Sequence, residues 1–186
     1  MEQTRCKWCN LKNPVYVKYH DEEWGISEHS DRKLFELLLL EFFQAGLSWE
    51  CVLNKREGFR NAYDHFQLSK VIAYGEEKIR ELQNNPNIIR NRRKIYASIQ
   101  NSRVFHEIVC QFGSFHNYLR TFTQDKTIYE TNRTTNALSD AISKDLQSRG
   151  MKFVGSVIIY SYLQAIGVIN SHEQDCFLYK NHNQII

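Results

Sequence analysis

Three groups of side chains in this chain could do chemistry. Cysteine and histidine crowd its two ends, with Cys6, Cys9 and His20 at one and His172 and Cys176 at the other. Thiolate and imidazole are the donors tetrahedral zinc prefers, and four protein donors leave no position for a reacting water, so such a metal would be structural. His172-x-x-x-Cys176 places two donors one helical turn apart; Cys6-x-x-Cys9 has zinc-finger spacing, with His20 as the competing fourth ligand. The second group is Glu41, an acid on the apolar stripe Leu34, Leu38, Ala45. A carboxylate there is costly unless it recognises a cation or moves a proton. The third is the set Tyr16, Tyr19, Trp24 and Trp49 flanking that stripe. Aromatic faces attract delocalised cations and stack on bases.

Two further features suit nucleic acid. Leu146 to Ile159 reads as two helices joined by a turn with Gly150 and Gly155 at its ends and Lys152 within it. Backbone amides at a helix N-terminus beside such a turn suit a phosphate, although an ordinary helical hairpin has the same spacing. Arg90, Arg92, Arg93 and Lys94, with Lys55 and Arg56, form basic clusters that could hold phosphates or simply face solvent.

The elements that must carry these residues read as helices. Ser30 caps a helix over 31–45, and Ser48 caps a second over 49–66. Short helices over 68–74, after Gly75, and over 114–122 flank a long one over 89–110. An amphipathic helix over 137–149 and a very apolar one over 156–166 frame the glycine-bounded turn, so the paired-helix element covers about 138–166. Residues 1–29 read as irregular, 123–135 as loop, and no segment shows strand period. Cys51 and Cys110 read as small buried side chains. The class expected is all-α, in a single domain over 1–186.

Composition sets outer limits. The 186 residues are 42% apolar, with two prolines and eight glycines, which favours a packed helical core over disorder or a many-stranded fold. A net charge of +3 permits nucleic acid without requiring it. The polar start Met1–Trp8 has no apolar leader segment, and the longest apolar run, Leu37–Leu40, is too short for a bilayer. A cytoplasmic protein with reduced cysteines is the expectation.

Ordered blocks carry a resemblance over nearly the whole chain: Tyr19-His-Asp-Glu-Glu-Trp-Gly25, Gln44-Ala-Gly-Leu-Ser-Trp49, Lys55-Arg-Glu57, Asn87-Ile-Ile-Arg-Asn-Arg92, Lys152-Phe-Val-Gly155 and His172-x-x-x-Cys176. In these blocks the sequence resembles the 3-methyladenine DNA glycosylase I family. The resemblance implies a helix–hairpin–helix glycosylase fold and a structural Zn2+ held by Cys6, His20, His172 and Cys176, joining the ends 1–29 and 168–186. It implies a base pocket of Glu41, Tyr19, Trp24 and Trp49, with Tyr16 beside them. It implies DNA contacts at Gln44, Gly46, Leu47, Lys152 and Gly155, the first three entering the gap left by a flipped base. The activity implied is monofunctional: hydrolysis of the N-glycosidic bond of 3-methyladenine in duplex DNA by a monomer, leaving an abasic site. Phe42 stands where that family has a small residue, which would narrow the region beside the pocket, and Ser171 where aspartate is common. A non-catalytic DNA binder and a zinc hydrolase with an open metal position are the competing readings.

Overall fold

The computed structural model describes residues 3–180. Ten α-helices account for most of the described residues: α1 (Pro14–Glu22), α2 (Asp31–Gln44), α3 (Trp49–Leu53), α4 (Arg56–Ala62), α5 (Leu68–Val71), α6 (Glu76–Asn84), α7 (Arg92–Phe112), α8 (Phe115–Thr123), α9 (Ala137–Ser148) and α10 (Ser156–Ala165). Their starts follow side-chain chemistry. Asn13, Ser48, Asn91, Ser114 and Asn136 each accept a hydrogen bond from a backbone N–H of the first turn, satisfying donors a helix cannot pair internally.

α2 is the central element. Ten of its fourteen residues are buried, and it packs against α3, α7, α8 and α10. α10 carries Ile159, Leu163 and Ala165 into the same core and lies against both α2 and α9. The resulting interior is rich in rings. Phe105 stacks on Phe115 with centroids 4.1 Å apart, and Phe43 meets Phe59 edge-on at 4.8 Å.

Several local expectations need correction. The segment read as irregular contains α1, started by Asn13 and by Pro14, a residue suited to the first helical position. The helix expected over 49–66 is broken after Leu53 and again at Ala62, where Asp64, His65 and Phe66 take positive φ and end it in a 3₁₀ turn. α7 begins at Arg92, because Asn91 caps it, and leaves Arg90 outside. The chain is not purely helical. β1 (Ile128–Tyr129) pairs in parallel with β2 (Ile169–Asn170), with Ile128 opposite Ile169 and Tyr129 opposite Asn170. Two-residue strands carry no readable period, so only the folded chain reveals them. Cys51 is half-exposed and Cys110 exposed rather than buried.

The two chain ends meet. Gly25 N–H donates to the Gln164 carbonyl and Glu28 N–H to that of Ile166. Gly167, at φ +75°, lies so close to Ile26 that a Cβ would come within 2.4 Å of its carbonyl carbon. Only glycine admits that approach. The zinc-binding ends expected over 1–29 and 168–186 thus lie side by side as far as described; residues 1–2 and 181–186 of that expectation lie outside the described residues.

Candidate active site

Where α1, α2, α3 and α10 converge, a cavity of about 280 Å³ opens to the surface. Its walls are aromatic: Tyr16 and Tyr19 from α1, Trp24 just beyond it, Trp49 at the start of α3, and Trp8. Tyr19 and Trp49 are in contact, centroids 5.2 Å apart, and Trp8 meets Trp24 at 4.8 Å. Glu41 comes to the same cavity from α2, one turn before its end, and Gln44 lies beside it at the last helical position.

Two polar atoms of this cavity are unsatisfied. Glu41 is 3% exposed, and its Oε2 has no hydrogen-bond partner; neither does the buried Trp49 Nε1. Each unpaired buried group costs on the order of 1–3 kcal/mol. The cavity therefore presents one acceptor and one donor for which a ligand of matching edge would remove the penalty. Burial pushes the Glu41 carboxyl up to about 8, with no nearby cation to oppose it. Burial also raises Tyr16 to about 12, reinforced by Cys9, Glu50 and Glu41 in that order, and lifts Tyr19 well above the usual phenol value, reinforced by Glu41, so both stay neutral. Among the described residues lining the cavity there is no lysine or arginine, but there is a second carboxylate, Glu173. Glu173 is half-buried and accepts the Lys7 backbone N–H at 3.0 Å. An aromatic chamber with acids and no bases suits a planar cation and offers no amine for a Schiff base.

Immediately behind the aromatic wall, Cys6, His20, His172 and Cys176 are all buried and bring their donor atoms within 4.8 Å of one another. Cys6 Sγ lies 3.5 Å from His172 Nδ1, and Cys176 Sγ lies 3.5 Å from His20 Nε2 and 3.6 Å from His172 Nδ1. These four could hold a metal ion. Cys9 stands apart, its thiol directed to the Tyr16 carbonyl at 3.9 Å. His20 Nδ1 is 2.7 Å from Asp21 Oδ1, and Arg5 clamps that carboxylate in turn. The carboxylate fixes the ring so that Nε2 faces the cluster. Burial lifts the Cys6 thiol to about 12 and lowers the His172 imidazole to about 4, so dry surroundings favour the neutral form of each. Trp24 packs edge-on against His172 at 4.7 Å and Trp8 against His20 at 5.2 Å, so cavity and cluster share a wall.

The expected DNA-contacting residues form two exposed features. Gly46, at φ +83°, turns the chain after α2 and leaves Leu47 42% exposed. Farther along, α9 and α10 are joined by residues 149–155, in which Gly150 and Phe153 take positive φ and Lys152 is exposed. Asn101 of α7 holds that turn at both polar groups of Lys152, its side chain donating to the carbonyl at 2.9 Å and accepting from the N–H at 2.8 Å.

Other basic residues do something different from the sequence expectation. Arg56 is buried and paired with Glu36 at 2.6 Å and Glu23 at 2.8 Å. Lys94 is buried too, bonded to main-chain carbonyls. Lys55 donates to the Pro86 carbonyl at 2.9 Å. Phe42 is fully buried against Phe43, centroids 5.1 Å apart, and is not among the cavity lining. One residue along a helix is about 100° around it, which turns Phe42 away from the face that carries Glu41.

Trp8, Thr131, Asn132, Ser161, Gln164 and Glu173 also line the cavity and were not picked out beforehand, and Ser171, noted only for standing where aspartate is common, lines it too. Ser161 and Gln164 had a usable signal: two polar residues three apart, on one face of the mainly apolar α10. Glu173 had one as well, as an acid between two metal-type ligands. Thr131 and Asn132 had none, since β1 and β2 bring their loop there.

The sequence and the fold both have counterparts among known proteins. A family model described as methyladenine glycosylase matches residues 8–179. The chain belongs to that family. It is 43% identical over 182 residues to DNA-3-methyladenine glycosylase 1 of Escherichia coli (strain K12), covering 94% of this chain and 96% of that protein. It is 34% identical over 179 residues to DNA-3-methyladenine glycosylase of Haemophilus influenzae, covering 93% and 96%. Among solved structures, a crystal structure of a 3-methyladenine DNA glycosylase I superposes with a TM-score of 0.90 at 39% identity, covering 95% of this chain and 100% of that one. The Staphylococcus aureus 3-methyladenine DNA glycosylase I, in a structure concerned with 3-methyladenine recognition, gives a TM-score of 0.90 at 32% identity, covering 97% and 100%.

Proposed function

We propose that this protein is a base-excision repair enzyme, a monofunctional N-glycosylase that hydrolyses the N-glycosidic bond of 3-methyladenine in alkylated DNA and releases the free base. The observation that carries this reading is the unpaired, buried Glu41 carboxyl facing an aromatic cavity that has no lysine or arginine in its lining. N3-methylation gives the base of the nucleoside a positive charge. Glu41 accepts hydrogen bonds from the base edge and offsets that charge, while the Trp49 N–H donates to a ring acceptor. Tyr19 and Trp49 wall the base, and Trp24 and Tyr16 shape the chamber. Ordinary adenine, being neutral, leaves the Glu41 charge unopposed and gains less.

The bond to be broken is already weak, because the base departs neutral. Water adds to the sugar C1′ as the C1′–N9 bond breaks, the bonding pair stays on the base, and a proton of the water passes to solvent. The lining offers no amine for a covalent sugar adduct, so an abasic site remains uncleaved.

The Cys6, His20, His172 and Cys176 cluster we assign to Zn2+ in a structural role. In a tetrahedron with zinc–sulfur and zinc–nitrogen bonds of about 2.3 and 2.0 Å, sulfur and nitrogen lie roughly 3.5 Å apart. The separations of 3.5, 3.5 and 3.6 Å fit that ion. When bound, it would lock the two chain ends behind the aromatic wall; no chemical step uses it. A ligand set filled by protein also argues against a zinc hydrolase.

DNA is held, in this reading, as in helix–hairpin–helix proteins. Lys152 and the free amides at the start of α10, after Gly155, meet a phosphate, and the Gln44–Leu47 turn with Gly46 at its bend enters the gap left by the flipped base. The partner is duplex DNA bearing an alkylated base, the working unit a single chain of one domain, and the compartment the reducing cytoplasm that keeps the thiols free. A non-catalytic binder has lost its support, since Phe42 does not encroach on the cavity.

Methylated DNA tests the assignment. Glu41→Gln and Trp49→Ala should each lower release of free 3-methyladenine by roughly 100-fold or more, the range of losing a key charge-stabilising group. Wild-type release from both would refute it.

A further inference from the structure

Lys94 is 6% exposed, yet no ion pair of the described residues includes it. Its Nζ donates instead to two backbone carbonyls, Phe43 at 2.8 Å and Ala45 at 2.6 Å. Those carbonyls bracket Gln44, the last residue of α2 and a wall of the cavity. They belong to the helix end whose C=O groups lack helical partners, where the backbone dipole is negative and a cation is favoured. A lysine serving only as a helix cap normally stands in water, which completes the hydration of its ammonium; this one has been taken out of solvent.

The turn that follows has little else to hold it. Within it, the Leu47 N–H donates to the Gln44 carbonyl at 2.6 Å. A Cβ added at Gly46 would find nothing within 4 Å, and Leu47 projects with 42% of its surface exposed. An apolar side chain at the tip of a short turn can part stacked bases only if its base does not yield, because unstacking itself resists insertion.

We propose that Lys94 is a positioning residue for excision from duplex DNA: through the Phe43 and Ala45 carbonyls it ties the root of the Gln44–Leu47 turn to α7 and makes Leu47 a rigid wedge. This rests on reading that turn as the element that replaces a flipped base. Two consequences separate it from a general role in folding. Lys94 should matter where bases must be unstacked and not where the strand is already single, and its effect should vanish once the wedge is gone.

The test compares single-turnover base release from methylated duplex and from the same methylated oligonucleotide as a single strand. Lys94→Met should lower the duplex rate roughly tenfold, the scale of losing part of the unstacking energy, and leave the single-strand rate unchanged. Lys94→Arg, which keeps a donor at the carbonyls, should restore part of the duplex rate. In a Leu47→Ala background, Lys94→Met should add nothing further to the duplex deficit. If Lys94→Met does not fold, Lys94→Gln, which shortens the chain and removes the charge, is read by the same criteria. Equal losses on both substrates, no loss on either, or full additivity with Leu47→Ala overturns the role given to Lys94 while leaving the wedge intact. An unchanged duplex rate in Leu47→Ala alone removes the wedge, and the proposal with it.

Discussion

The buried Glu41 carboxyl, to which we assign the selectivity, also carries a stability cost. In the folded protein Glu41 titrates at about 8, whereas an ordinary glutamate does so near 4.5. Between those values the native state holds a proton the unfolded chain has lost, so stability falls as pH rises through that window. Glu41→Gln removes the dependence. Thermal melts from pH 5 to 8.5 should show the variant gaining on the wild type as pH rises, and parallel curves would contradict the burial argument. Activity moves the other way. In the role we propose, the ionised carboxylate is the form that pairs with a cationic base, so kcat/KM should rise with pH and level off above about 8, a limb absent from Glu41→Gln. The chain itself advertised Glu41, since an acid on the stripe Leu34, Leu38, Ala45 has few reasons to be there. It did not advertise Lys94. In Arg90-Asn-Arg-Arg-Lys94 the residue looks like one more surface cation, and only the packing of α7 on α2 takes it inside.

At the level of elements, the turn between α9 and α10 is held by a residue from a third helix. Asn101 is 1% exposed and serves both backbone groups of Lys152. Asn101→Ala should cost about 1–3 kcal/mol of stability from unpaired buried groups, read by urea denaturation, and should weaken duplex binding as the turn loosens. Lys152→Ala should act more narrowly. The slope of log Kd against log salt should fall by about one, with and without a lesion in the duplex. A slope that does not change would mean Lys152 faces no phosphate. The helices on either side were legible because glycine bounds the turn and apolar residues recur at helical spacing. Asn101, about fifty residues away, left no local mark as the clamp.

For the molecule as a whole, the two ends of the chain are closed by the cluster that we assign to zinc, and the cavity leans on that closure through Trp24 against His172 and Trp8 against His20. Purified protein should carry one zinc per chain by atomic absorption. Chelation, or Cys6→Ala, should destabilise the fold by on the order of 3 kcal/mol, roughly 10 °C in Tm for a chain of this size, and should shift tryptophan fluorescence as the wall relaxes. Metal-free protein with an unaltered Tm would remove the structural role.

Residue types determined the chemistry in advance: thiols and imidazoles at both ends, an acid where apolar residues belong, rings around it, and caps that start five of the helices, although Ser30, read as the cap of α2, makes no side-chain cap hydrogen bond. These are local properties, and caps and periodicity act over a few residues. The folded structure alone decided which of those groups meet. His20 rather than Cys9 faces Cys6, His172 and Cys176, and Phe42 turns into the core. A two-residue strand pair carries Thr131 and Asn132 to the cavity, while Lys94 caps the turn instead of a phosphate. Each of these outcomes depends on contacts between segments far apart in sequence, where steric fit and the pairing of buried polar groups choose among partners that spacing leaves equivalent.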